Sequence, residues 1–494
     1  MSVPDHPLDR GLAGIGELVR DRVISPSELC EEALQRLARW EPTLNAFITV
    51  CADAAFARAR AVVDGGAGPR ALRSLSAVPI AIKDNLDLVG QRTTAGSAAI
   101  DYRPSATAVS VQRLQSAGAI VIGKTNLPEL AYGPTDTYVF GPTWNPWKAG
   151  HFAGGSSMGS GAAVAAGIVP AAMGSDTSGS LRNPAGWSGV TGLKPTSGLV
   201  PLTGMVPLAP GLDHVGPLAR TAADCAILLD AMAGYDSADL SSNRRASESV
   251  GYARITGLAA PPARIGVVRG PFDHVQPDVA AAMEHALNTM AGLGARLVDI
   301  DVPLWDDAAD AALTILSCQA ASTHHDLLAT APALLTAQTR DRLSAGADIS
   351  SAAYVRADFV RRAFRQQLAA VFEEVDFLAL PARERTAPPM APDGLRPPGD
   401  QGALFNAPFN LTGSPAIVFP VGFDRCGLPI GLQLAAARWR DAALLRQAHT
   451  YQRSTDWHTF RPSLPGPTPS RDPRDAGSSP DPSAAHRGSM QPTE

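Results

Sequence analysis

The sequence predicts an α/β fold around a mixed, mostly parallel sheet, and three observations carry that prediction. Short buried β-branched runs alternate with stretches of helical apolar spacing along most of the chain. No Pro/Gly/Ser-rich linker and no fixed-period repeat interrupts residues 1–461, so one compact catalytic domain is preferred over three. At 494 residues and 45% hydrophobic content, the chain has ample material for a large core.

The elements follow in order. Ser25-Pro26-Ser27-Glu28 has the form of a capping box with Pro at the first helical position, and Leu29, Ala33, Leu37 and Trp40 continue one apolar face until Pro42, which is expected to stop the helix. Residues 44–50 read as a strand or short buried segment, 53–63 as a helix, and Gly65, Gly66, Gly68 and Pro69 as a loop. Val78–Ile82 is a buried strand, 106–117 a helix, Ala119–Ile122 a second buried strand, and 160–168 a helix. The run 265–268, a helix over 277–292 and the segment 295–302 repeat the strand–helix–strand theme; 304–375 is mainly helical, and Phe377–Pro381 returns to the sheet. From Pro462 to Glu494 eight of 33 residues are proline, mixed with Ser, Asp, Gly and Arg, and a disordered tail is expected there.

Composition narrows the function. The net charge of −5 argues against a globally basic nucleic-acid binder. Five scattered cysteines with no C-x-x-C pair argue against a disulfide framework or structural zinc. No secretory signal is visible, and the Ala-rich run 162–173 is too short to span a bilayer, so a cytoplasmic location is expected. The histidines lack ligand-like spacing, so neither metal nor cofactor is expected. Only four lysines (Lys83, Lys124, Lys148, Lys194) stand against 38 arginines, all within one window. Lysine, unlike arginine, can lose its proton when desolvated, which marks the window as a candidate seat of chemistry.

Two motifs in that window are discounted. Gly118–Thr125 matches a phosphate-loop expression, but its Ala-Ile-Val-Ile centre suits a strand rather than a loop whose N–H groups curl around an anion. Gly159-Ser160-Gly161 begins a dinucleotide fingerprint whose third glycine position is Val164. The informative stretch is Ala153–Arg182, where two Ser/Gly-rich turns flank an Ala-rich helix and a short apolar segment. Such turns bring backbone N–H groups close to a ligand, and a serine there becomes a nucleophile if a base is near. No histidine has a matching context, since His151 is isolated; Lys83, directly after a buried strand, is the candidate base.

These residues resemble the amidase signature family. The resemblance rests on Lys83 in PIAIKDN, GGSSMGSGAAVAAG from Gly154 and GSDTSGSLRNPA from Gly174. It continues through GKTNLPELAYG from Gly123, GVTGLKPTSG from Gly189, LDHVGPLART from Leu212, FLALPA from Phe377, PFNLTGSPAIVFPVGF from Pro408 and GLPIGLQL from Gly427. It implies a single α/β/α domain with a twisted sheet covered by helices. It also implies a Ser–cis-Ser–Lys triad: Ser180 as the acyl-accepting nucleophile, Ser156 after a cis peptide as proton relay, and Lys83 as base. By the same resemblance the N–H groups of Thr177, Ser178, Gly179 and Ser180 form an oxyanion hole, Ser157 supports the lysine from one residue behind it, and Asp176 and Arg182 hold the loop. Ser178 and Met158 stand where the family usually has glycine.

The activity so implied is hydrolysis of a carboxylic amide, with aryl amides, carbamates (urethanes) and esters sharing the tetrahedral chemistry. An acyl pocket is expected from the aromatic stretch Tyr132, Tyr138, Phe140, Trp144 and Trp147, with Met158 nearby. The expected partner is a small-molecule amide or carbamate, handled by a monomer or homodimer without nucleic acid or membrane. The alternative is an amidotransferase subunit of the type that makes Gln-tRNA within a complex. Such subunits usually carry Gln where this chain has His214.

Overall fold

Eleven strands form one sheet in a computed structural model that describes residues 6–64, 75–133, 135, 137–247, 250–270, 275–390 and 402–463. The expected loop at Gly65–Pro69 and the tail beyond residue 463 lie outside the described residues. In chain order the strands are β1 Phe47–Val50, β2 Pro79–Lys83, β3 Ile120–Thr125, β4 Ala171–Asp176, β5 Thr191–Lys194 and β6 His214–Ala219. They continue with β7 Arg264–Val268, β8 Arg296–Ile300, β9 Phe377–Pro381, β10 Ala416–Phe423 and β11 Pro429–Ala435. Their spatial order is β1-β3-β2-β4-β6-β5-β10-β11-β9-β7-β8.

The sheet is mixed. Parallel pairing holds at the two flanks, β3-β2-β4 and β9-β7-β8, where strand–helix–strand alternation announced it. From β4 through β6, β5, β10 and β11 to β9 every pairing is antiparallel. Helices cover both faces, and β9 shows how. Its side chains alternate, so Phe377 and Ala379 enter the core under the N-terminal helices, whereas Leu378 and Leu380 enter the one built with helices Trp305–Thr323 and Ser351–Glu374. Such both-faced burial gives the three-layer architecture of an α/β domain.

Local signals were read well at helix starts and less well at one end. Ser25 Oγ accepts from Glu28 N and the Glu28 carboxylate from Ser25 N, closing the capping box. Pro42 does not stop that helix, which runs Pro26–Leu44. The proline falls in the last turns, and Asn45, left-handed at φ 51°, ends the helix by donating to the Glu41 carbonyl.

The phosphate-loop match is a strand: Gly123 and Lys124 lie within β3. Lys124 is fully buried and pairs at 2.8 Å with the equally buried Asp84, while also donating to the Arg92 carbonyl and Thr93 Oγ1, each at 2.7 Å. Among the described residues no helix is long and apolar enough to cross a membrane, and no cluster of His, Cys, Asp or Glu is placed to hold a metal ion.

Removing one partner of a buried pair strands the other charge. Lys124→Ala is therefore expected to lower unfolding stability by about 3–5 kcal/mol in chemical denaturation, and a loss below about 1 kcal/mol would show the pair to be dispensable.

Candidate active site

Parallel pairing of β2 with β4 puts the C-terminal ends of both strands on one edge of the sheet. Ligands in open α/β sheets gather beyond such ends. The register Ile82↔Met173 leaves Lys83 closing β2 opposite the Gly174-Ser175-Asp176 end of β4. Lys83 is fully buried. Its Nζ lies 2.7 Å from Ser156 Oγ and 2.9 Å from Ser175 Oγ, and Asn85 Nδ2 donates to the same Ser175 oxygen at 3.1 Å. Burial drives the amine down from its ordinary 10.5 to about 7, against the partial pull of the Asp176 and Asp213 carboxylates.

The first Ser/Gly turn leads into the helix Met158–Ala165, and the second follows β4 and leads into the helix Arg182–Ser188. The Gly155–Ser156 peptide is cis. The turns are stitched together where Ser157 N–H donates to the Ser180 carbonyl at 3.1 Å. Gly154 must be glycine, being left-handed at φ +89° with Pro184 Cα only 2.7 Å from where a Cβ would stand.

Asp176 shapes the second turn. Its carboxylate accepts from Gly179 N (2.7 Å) and Leu181 N (3.1 Å), and Arg182 grips it through Nε and Nη2, both at 3.0 Å. Burial alone would raise the Asp176 carboxyl, but the charge and hydrogen bonds of Arg182, with the Lys194 charge and the Asn410 hydrogen bond, together outweigh it and hold the group well below the usual carboxylate range. Arg182, also fully buried, donates further to the Asn406 carbonyl, Gln433 Oε1 and Asn410 Oδ1. Thr177 Oγ1 donates to Asp213 at 2.6 Å. His214 sits behind this turn, its Nδ1 2.7 Å from the Leu212 carbonyl and its Nε2 3.3 Å from Lys194 Nζ.

A cavity of about 320 Å³ opens over the turns. Ser180, Thr177, Ser178 and Gly155 form its floor, and Tyr132, Phe152, Trp187, Leu316 and Arg383 stand among its walls. Arg383 stacks over the Trp187 ring, 4.3 Å from its centroid. The arrangement therefore offers a hydroxyl at a cavity floor, with a neutralisable amine one serine away.

Ser157 stands one residue removed from Lys83, in the supporting place that the resemblance gives it. Its hydroxyl donates to the Ser175 carbonyl at 3.1 Å and accepts from Ser175 N at 3.3 Å, so it fixes the backbone of the residue that does contact the lysine. Several expectations change. Gly179 N–H is taken by Asp176 and Gly179 does not line the cavity, which leaves Thr177, Ser178 and Ser180 on the floor. The positive φ of the turn, +118°, falls on Gly179, so Ser178 stands at a position open to an ordinary L-residue. Of the expected acyl-pocket residues only Tyr132 lines the cavity. Tyr138 packs beside Phe152, Trp187, Ala387 and Leu428. Phe140 offers its carbonyl to Asn45 Nδ2, and Trp144 bridges to Phe152 through the backbone. Met158 is fully buried in the main core. Ser175, Phe152, Trp187 and Arg383 were not foreseen. The aromatic pair lies close to the serine turns in sequence, a proximity that could have suggested it; Ser175 sits on a strand with no turn signal.

Comparison with known proteins agrees with this geometry. The family model described as Amidase matches residues 28–445. A glutamyl-tRNA(Gln) amidotransferase subunit from Thermosynechococcus vestitus is 38% identical over 475 residues, 89% of this chain and 97% of that protein. Among solved structures, an inhibitor-bound complex concerned with the origins of an s-triazine catabolic enzyme superposes with TM-score 0.84 at 35% identity, over 90% of this chain and 98% of that one. A bacterial aryl acylamidase of the amidase signature enzymes does so with TM-score 0.84 at 26% identity, over 93% and 100%. The chain belongs to the amidase signature family. The relatives also overturn one expectation, that of a monomer or homodimer handling a small molecule without nucleic acid. Curated proteins this similar are named as one subunit of a larger enzyme, and that enzyme is named for a tRNA.

Because Ser175 is one of two hydroxyls on the Lys83 amine, Ser175→Ala is expected to lower kcat/KM by about 10–100-fold with an unchanged melting temperature. Undiminished kcat/KM would show the contact to be incidental.

Proposed function

We propose that this chain opens a carboxamide C–N bond by acyl transfer to Ser180, and that it does so as the amide-opening member of an amidotransferase assembly. The observation that carries the chemistry is the fully buried Lys83 amine, near pKa 7 and bonded to Ser156. A serine hydroxyl attacks a carbonyl only when its proton has an acceptor, and a lysine accepts only when neutral. In this reading Ser180 Oγ bonds to the carbonyl carbon, its proton passes to Ser156 and that of Ser156 to Lys83. The C–N bond then breaks, and the departing nitrogen takes a proton back along the same path. Among the described residues no hydrogen bond joins the Ser180 and Ser156 hydroxyls, so substrate binding closes that last link, as is common for catalytic contacts that tighten on the substrate. The floor N–H groups of Thr177, Ser178 and Ser180 face the oxyanion, a single such donor being worth about 3–4 kcal/mol. Carbamates and esters, which share the tetrahedral step, are side substrates.

The assembly part of the reading is supported by relatives 36–39% identical, each named as one subunit of glutamyl-tRNA(Gln) amidotransferase, whose length this chain covers almost fully. Water then frees the acyl group from Ser180, the released ammonia supplies the nitrogen, and the acceptor is a tRNA-borne carboxylate that another chain of the assembly activates with ATP, so that phosphate is the group displaced.

Ser180→Ala and Lys83→Ala are each expected to lower amide cleavage by several orders of magnitude while the protein stays folded, and Ser156→Ala somewhat less; wild-type-like turnover by Ser180→Ala removes the assignment. The sign of the pH dependence follows from the amine: below about pH 7 it is an ammonium and cannot accept. Activity is expected to fall about tenfold per pH unit below that point, and a flat profile from pH 5 to 9 contradicts a lysine base. For the assembly, glutamine cleavage and amide formation on the tRNA are measured in the presence of ATP, with and without co-purifying chains and glutamyl-tRNA(Gln). Transfer that depends on both is expected; rapid cleavage of simple amides by the isolated chain, unaffected by either, argues for a free-standing hydrolase.

A further inference from the structure

A second cavity, of about 920 Å³, shares no lining residue with the one above Ser180. Its walls come from three segments far apart in sequence: residues around His6–Ala13, the turn from β6 into the helix Ala222–Met232, and the stretch from His449 to Arg461. Arg220, directly after β6, is only 7% exposed. Its Nη2 donates to the carbonyls of His458 and Phe460, but among the described residues its Nε and Nη1 have no partner. Nε and Nη1 of Arg461 and Nδ1 of His458 are in the same condition. Buried polar groups are ordinarily satisfied, so unmet guanidinium donors converging on one cavity call for an acceptor.

The charges point the same way. The wall carries Arg10, Arg220, Arg453 and Arg461 against two carboxylates, Asp9 and Asp224. Both acids act on Arg220 and Arg461 but also have partners of their own. Asp224 accepts from Leu12 N and Thr221 Oγ1, each at 2.8 Å. Asp9 is held by both Nη atoms of Arg36, with Arg461 Nη2 farther off at 3.6 Å. Burial and the like charge of Arg461 push the Arg220 guanidinium well below its usual range, and burial pushes His449 and His458 down, so neither histidine adds charge at neutral pH. Ala223, in the first turn of its helix, also lies on the wall, where the helix end is positive.

We propose that this cavity is a binding site for an oxyanion of the phosphate class, free or esterified, gripped by Arg220 and Arg461. The unmet donors of Arg220 and Arg461 suit an anion, and tetrahedrally disposed oxygens can meet donors from separate segments where a planar carboxylate cannot. Bound there, the anion ties both ends of the domain to β6. The site draws on no part of the amide chemistry.

The full-length chain is titrated with inorganic phosphate, and separately with AMP, at constant ionic strength in chloride, by calorimetry and by melting temperature. Saturable one-site binding with a rising melting temperature is expected, unchanged in Ser180→Ala and weakened about tenfold or more in Arg461→Gln. Arg461 is partly exposed, so this variant tests the site even if an Arg220 substitution fails to fold. The tighter probe identifies the free or the esterified form. No saturable binding of either probe, or binding equally tight in Arg461→Gln, overturns the proposal.

Discussion

A single amine kept away from water is the constraint on which the site depends. Lys83 ends a strand whose five residues are all buried, and among the described residues no carboxylate bonds its Nζ; two serine hydroxyls meet it instead. A carboxylate at that distance would have held the ammonium form, as Asp84 does for Lys124 one strand away. The two lysines are alike in burial and opposite in chemistry, and the difference is the partner.

The rest of the site supports that arrangement without taking part in it. Asp176 is close enough to act on Lys83 electrostatically, yet its charge is answered by Arg182 and by the N–H groups of Gly179 and Leu181. The same hydrogen bonds bend the chain so that Ser180 emerges at the cavity floor. Arg182 in turn reaches Asn406, Asn410 and Gln433 on elements more than 200 residues away, so the turn is anchored by the far side of the domain. A network of buried, hydrogen-bonded polar groups rigidifies its surroundings, which is what a preorganised reaction centre requires.

Much of this was legible in the sequence where chemistry and local geometry coincide. A lone lysine after an apolar strand, and two Ser/Gly turns flanking an Ala-rich helix, marked the right edge of the sheet. The capping box at Ser25 and the strand character of Gly118–Thr125 were equally readable, because each depends on neighbouring residues. What escaped was set by tertiary partners. The antiparallel centre of the sheet is buried on both faces, so β10 and β11 show no alternation that would reveal their direction. Ser175 looks like any small strand residue until β2 is laid beside it. The aromatic stretch after Tyr132 was placed near the site, but its side chains divide between cavity and core according to packing.

The central claim is tested most directly by titrating the Lys83 amine itself. With only four lysines in the chain, ¹³Cε-lysine NMR gives few resonances, and Lys83→Arg assigns the one in question. A midpoint near pH 7 is the result this account predicts; a resonance that stays protonated up to the ordinary lysine range near 10.5 would contradict it.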